Sequence, residues 1–175
     1  MTSVLLVVDA QQNMLRPPEP VPDAATVGVA IERTMAAARS AGARVVHIRN
    51  TGDAGDPDEP GTRGWELVYD VRPGEPVVDK PESDSFARTD LADHVPAGAP
   101  VVVVGMQSEY CVRSTALAAL GRAHPVTLVR GAHATYADGE PAADISARVE
   151  TELEKAGVRI VAAPELAFGQ VPILR

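Results

Sequence analysis

Residues 101–120, VVVVGMQSEYCVRSTALAAL, pass from a β-branched run to an alanine- and leucine-rich helical stretch through a short turn opened by Gly105. Four valines with no polar alternation read as a strand covered on both faces. Such strands belong to parallel sheets flanked by helices. Val4–Val8, Arg44–Ile48 and Val126–Val129 repeat the pattern, bounded by Gly, Pro, Asp or Asn, and Pro76–Val78 and Val158–Val161 are weaker strands. Helical spacing runs through Ala24–Ala41, Val112–Gly121 and Pro141–Ala156. The last carries Ile145, Val149 and Leu153 at four-residue steps and stops at Gly157. Strands alternating with helices predict βαβ units with right-handed crossovers, hence an α/β fold.

At 175 residues the chain is expected to be one domain, 1–175. Its 45% hydrophobic content suits a packed core, and at 3% aromatic that core must be Val, Leu, Ile and Ala. A net charge of −8 without a Lys/Arg cluster argues against nucleic acid. The single Cys points to a reducing compartment. No apolar run approaches membrane-spanning length, and Val4–Val8 is too short for a secretory core. A soluble cytoplasmic protein with no membrane partner is expected. Residues 50–74 are rich in Gly, Pro and Asp and carry Trp65 and Tyr69. A connection that long is expected to be a lid or an interface loop.

In open parallel sheets, ligands bind beyond the carboxyl ends of the strands. Three reactive side chains follow strands: Asp9 after VLLVV, Lys80 after PVVD, and Cys111 after VVVVGMQSEY. A lone Cys is most often a small buried apolar residue. One that starts a helix instead faces unpaired N–H groups and the positive end of the dipole, which favour the nucleophilic thiolate. The turn Gly105–Tyr110 has backbone N–H groups that can converge on an oxyanion. Asp9, taken alone, caps a turn; at the end of a central strand it needs a partner or a use, such as taking the Cys111 proton. Lys80 and Lys155 are the chain's only lysines among 16 basic residues. A solvated Lys is the bland reading; a compact ammonium reaching the site is the other. No GxSxG, GxxxxGK or helix-opening GxGxxG competes. His47, His94, His124 and His133 stand in no metal-ligand spacing, so neither a metal nor a cofactor is expected.

These positions, in this order, resemble the isochorismatase-like cysteine hydrolases, which include nicotinamidases, N-carbamoylsarcosine amidases and ureido or biuret hydrolases. VLLVVDAQQ resembles the opening strand with its D-x-Q, VVDKPESDSFARTDL the lysine segment, and VVVVGMQSEYCVRSTALAAL the nucleophile strand, turn and helix. The resemblance covers nearly the whole chain. It implies a three-layer α/β/α fold around a six-stranded parallel sheet of Rossmann-like order 3-2-1-4-5-6, with a cis peptide at Met106–Gln107. It implies Asp9, Lys80 and Cys111 as catalytic, the backbone N–H groups of Gln107 and Cys111 as oxyanion hole, and a thioester on the way from a linear amide-like C–N bond to an acid. It also implies a homo-oligomer acting on a small molecule.

The chain departs from the family where nicotinamidases hold a metal. No Asp-x-His follows His47, and the stretch reads HIRNTGDAGDPDEPGTRGWEL. Gly131, Ala132 and His133 replace the usual Asp-Ala after the fifth strand. Pocket candidates from the carboxyl-edge loops are Leu15, Trp65, Phe86, Gln107, Tyr110, His133 and Tyr136. Two rival readings keep the fold. One is an isochorismatase-type vinyl-ether hydrolase with Asp9 as acid; the other is a binding protein without catalysis.

Overall fold

The structure is a computed structural model describing residues 1–168. Residues 169–175, the end of the expected domain, lie outside the described residues. Strand β1, Val4–Val8, is buried along its whole length, as a run without polar alternation requires. The elements that follow are helices α1 (Gln12–Leu15) and α2 (Ala24–Ser40), strands β2 (Arg44–Asn50) and β3 (Val77–Lys80), and helix α3 (Leu91–His94). Then come β4 (Val101–Met106), a π-helical turn (Ser108–Val112), α4 (Arg113–Gly121), β5 (Val126–Ala134), α5 (Ala142–Ala156) and β6 (Arg159–Ala162). The six strands form one all-parallel sheet in the order β3-β2-β1-β4-β5-β6, as the resemblance implies.

Alternate residues of each strand feed two cores. Leu5, Val7, Val102 and Val104 pack under α2 through Val27, Ile31 and Met35. Leu6, Val8, Val101 and Val103 pack on the other face with Ala116 of α4 and Val149 and Leu153 of α5. Burying a Val, Leu or Ile side chain stabilises by about 1.5–3 kcal/mol, which lets two aliphatic layers hold a chain with few aromatics.

Three differences from the expected elements bear on the site. β3 runs on to Lys80, and β5 extends five residues past the expected Val129, through a register break. The helix expected over Val112–Gly121 is preceded by the π-helical turn, in which the Val112 N–H donates to the Gln107 carbonyl at 3.1 Å. The short α1 and α3 have too few turns to show a periodicity.

The order places β1 beside both β2 and β4, with Val8 opposite Ile48 and Gly105. Their carboxyl ends therefore open at one edge of the sheet, where the strand order reverses. Residues 64–68 of the connection that follows β2 are hydrogen-bonded down at that edge: Val68 N–H donates to the Ala10 carbonyl, and Gln12 N–H and Asn13 N–H donate to the Glu66 and Gly64 carbonyls.

Candidate active site

Each site residue lies beyond or at the carboxyl end of a strand, where parallel-sheet geometry gathers ligand-binding groups. Asp9 follows β1 with a left-handed backbone, φ 48°, and its N–H donates to the Ile48 carbonyl at 2.9 Å. Lys80 ends β3, and its side chain, fully shielded from solvent, reaches past β2 toward β1. Its Nζ lies 3.1 Å from Asp9 Oδ2 and donates to Cys111 Sγ at 3.2 Å and to Asn50 Oδ1 at 2.9 Å. The three ammonium hydrogens thus have three acceptors. Asp9 and Cys111 are close enough to perturb each other's titration, with Lys80 between them. Asp9 Oδ1 is buried without a partner among the described residues.

Cys111 is the fourth residue of the π-helical turn rather than the first of a helix. Burial pushes its thiol up to about 12, the Asp9 charge adds to this, and Lys80 opposes it. Desolvation beside a carboxylate thus works against the thiolate that the start of a helix would favour. Burial also raises Asp9 above the ordinary aspartate value against the pull of Lys80. Lys80 is raised because Asp9 and Cys111 outweigh the burial that would lower it. The Met106–Gln107 peptide is cis.

A cavity of 750 Å³ opens on this group and is lined by Asp9, Cys111, Gln107, Tyr110 and Tyr136, with Asn50 and Asp58 on another wall. Of the pocket candidates, Gln107, Tyr110 and Tyr136 line it. The others do not. Leu15 is buried under the sheet, and its neighbour Met14 faces the cavity, a one-position slip on a one-turn helix. Phe86 packs in the core, stacked with His124 and covered by the Arg122 guanidinium. Trp65 anchors its own loop beneath Arg49, whose guanidinium carbon is 3.4 Å from the ring centroid. His133 is buried behind the turn, between Ser108 and Glu150. The loop 50–74 contributes Pro57, Asp58, Arg63 and Gly64 to the cavity wall instead of its aromatics.

Asn50, Asp58 and Gln11 belong to the site although sequence reasoning passed them over. Asn50 Nδ2 donates to Asp58 Oδ2 at 2.7 Å, so its carbonyl oxygen is turned to Lys80. Gln11 exchanges two hydrogen bonds with the Asn50 backbone, at 2.9 and 3.1 Å. The rule that selected Asp9 applies equally to Asn50 at the end of β2; an unreactive amide gave no reason to use it.

A strand-order reversal, a carboxylate and a sulfur both bound by one buried ammonium, and a cavity above them suit a hydrolase of the α/β class. The isochorismatase domain family matches residues 3–157, and the chain belongs to that family. The protein is a hydrolase. It is 43% identical to a streptothricin hydrolase of Streptomyces noursei over 94% of this chain and 73% of that protein. The solved isochorismatase of Pseudomonas putida superposes with a TM-score of 0.87 at 25% identity, covering 94% of this chain and 89% of that one. The pyrazinamidase of Pyrococcus horikoshii, solved with zinc, gives 0.77 at 26% identity over 93% and 99% of the two chains. The residues present here do not fit such a metal. Asn50 is committed to Lys80 and Asp58, and no cluster of three His, Cys, Asp or Glu side chains suited to a metal ion occurs among the described residues. Nor is any helix among them long and apolar enough to cross a membrane.

Proposed function

We propose that the protein is a cysteine-dependent hydrolase that cleaves an amide-like C–N bond of a small molecule. The observation that carries this is the contact of one buried ammonium with both the Asp9 carboxylate and the Cys111 sulfur, beneath an open cavity. The likeness to a pyrazinamidase supports the bond type. With burial raising the Cys111 thiol, attack needs a base, and Asp9 is the carboxylate that shares the Lys80 ammonium with it.

In the first half-reaction the thiol proton passes to Asp9 and the sulfur bonds to the substrate carbonyl carbon. The C=O electron pair moves to oxygen, where the Gln107 and Cys111 N–H groups stabilise it. The pair then returns, the C–N bond breaks, and ammonia or an amine leaves with the proton held by Asp9. Water next adds to the thioester, giving its proton to Asp9; the C–S bond breaks, the sulfur recovers the proton and the acid departs. Lys80 stays cationic throughout and holds the two partners in register.

The test is a screen of amides, ureas, carbamates and N-carbamoyl compounds for ammonia release, with Cys111→Ala as control. Turnover lost in Cys111→Ala, together with an acyl mass on Cys111 in the wild type, supports the reading; full activity of Cys111→Ala refutes covalent catalysis. A vinyl-ether hydrolase or a binding protein would tolerate a small alkyl group on the sulfur. The same reading places the enzyme in the cytoplasm, where its single thiol stays reduced, and as a homo-oligomer, which size exclusion with light scattering measures.

A further inference from the structure

Strand β5 leaves its register with β4 between Val103 and Gly105. Val103 pairs with Leu128, and pairing resumes with Gly105 opposite His133, so two steps along β4 span five along β5. Gly131, with φ 81°, lies within the looped-out stretch. The detour delivers the His133 ring to a buried place behind the turn that carries Cys111. There His133 Nδ1 is 2.8 Å from Ser108 Oγ, and Nε2 is 3.2 Å from Glu150 Oε1. Ser146 Oγ approaches Ser108 Oγ at 3.0 Å, and Arg130 Nε donates to the other Glu150 oxygen at 2.7 Å.

The roles in this chain follow from its ends. Glu150 is held below the ordinary glutamate value: burial would raise it, but the hydrogen bonds from His133 and Arg130 outweigh burial. It therefore accepts the Nε2–H, while Nδ1 shares a hydrogen bond with the Ser108 hydroxyl, which Ser146 also meets. Ser108, fully buried, opens the π-helical turn directly after Gln107 and three residues before Cys111. A hydroxyl buried in the interior and tied at both ends fixes the backbone that bears it.

We infer that His133, held between Ser108 and Glu150, is a positioning residue that fixes the turn aiming the Gln107 N–H at the reacting carbonyl oxygen. His133 does not line the cavity and does not touch substrate; it acts through Ser108. This rests on the cysteine reading above and goes beyond it by assigning the buried chain a part in the acyl step.

The test compares two reactions of the chain's single cysteine. Acylation by p-nitrophenyl acetate passes through an oxyanion: sulfur bonds to the acetyl carbon, p-nitrophenolate leaves, and the thiol proton passes to Asp9. Alkylation by iodoacetamide displaces iodide and forms no oxyanion. Ser108→Ala and His133→Phe are expected to slow acylation by about tenfold or more, while alkylation changes by less than about threefold. Glu150→Gln, which keeps an acceptor for Nε2–H, is expected to retain acylation within about threefold. Acylation unchanged in both variants, or both reactions falling in parallel, overturns the inference. Ser108→Ala removes one oxygen and keeps the test alive where His133→Phe fails to fold. A wild-type chain whose cysteine is not acylated overturns this inference and the cysteine reading together; acylation intact in wild type and variants alike overturns this inference alone.

Discussion

Lys80 Nζ lies 3.1 Å from Asp9 Oδ2, and both side chains are sealed from solvent. Removing one partner of such a pair leaves an uncompensated buried charge, which costs about 3–5 kcal/mol. Lys80→Met is therefore expected to unfold at distinctly lower denaturant than the wild type at neutral pH and to lose turnover. The pH dependence follows from Asp9. Burial already raises its carboxyl above 3.8, and removing Lys80 raises it further. A carboxyl raised in the folded state favours folding when protonated, and that contribution is lost as pH rises through its folded value. The gap between Lys80→Met and wild type should narrow as pH falls toward 3.8. Urea titrations across that range measure it, and a gap independent of pH would mean that Asp9 is not a buried charge in the variant.

Asn50 supplies the third acceptor of Lys80, at 2.9 Å, and is itself oriented by Asp58 at 2.7 Å. Asn50→Ala removes a hydrogen bond to a charged group, worth about 1.5–3 kcal/mol, and frees the ammonium to shift. Turnover is expected to fall by about tenfold or more, because sub-ångström misplacement of a charge partner is felt directly in the reaction. Asn50→Asp keeps an oxygen toward Lys80 but cannot donate to Asp58, so it sets two carboxylates side by side and should not rescue activity. Ammonia release by the two variants settles whether Asn50 acts on Lys80 or merely fills space.

The parallel sheet was legible because buried strands carry an unusually plain signal, as in Val4–Val8 and Val101–Val104, whereas its order came from the family resemblance. Asp9, Lys80 and Cys111 each had an ordinary structural use on their own, and were legible as a group through the order of the three motifs that carry them. The lining of the cavity was not. Phe86 and Trp65 are both large rings in carboxyl-edge segments, yet one serves the core and the other lies beneath Arg49. That choice depends on packing across long sequence separations, which local pattern does not carry. The burial that raises the Cys111 thiol was hidden for the same reason. A helix end is visible in sequence, whereas burial beside Asp9 appears only once β1 and β4 are adjacent.

Glu75 joins three elements before β3 begins. Arg39 Nε and a second guanidinium nitrogen donate to its carboxylate at 2.7 and 2.8 Å, His47 lies at 2.9 Å, and the Arg72 N–H donates at 3.0 Å. Burial would raise this carboxyl, but these donors outweigh it and hold Glu75 at about 2. A carboxyl lowered in the folded state adds stability above its unfolded value, and that contribution is lost as pH falls through the folded value. The wild type should therefore exceed Glu75→Gln by about 2 kcal/mol at neutral pH, with the advantage fading between pH 4.5 and about 2. Lys80 stands at the far end of β3, so turnover of Glu75→Gln at neutral pH should match wild type. Parallel unfolding curves at all pH values would count against this ion cluster.

Gly105 faces Val8 across the β1–β4 pairing, one residue before Asp9. Its φ of 122° is a conformation that side-chain-bearing residues rarely adopt. A Cβ placed there would lie 1.9 Å from the Val8 carbonyl oxygen and 2.7 Å from its carbon. That oxygen is backbone of the central strand and has no rotamer to escape into, so β1 and β4 would have to separate. Gly105→Ala is expected to cost about 4 kcal/mol or more, in the range reserved for steric conflict at a special backbone position. The separation would also draw Asp9 away from Cys111, since the two follow the ends of these strands. Any folded fraction of Gly105→Ala should therefore be less active per molecule than wild type, beyond the loss from unfolding. Thermal melts with activity normalised to folded protein separate the two effects. A variant with wild-type midpoint and wild-type specific activity would show that the two strands do not meet at Gly105.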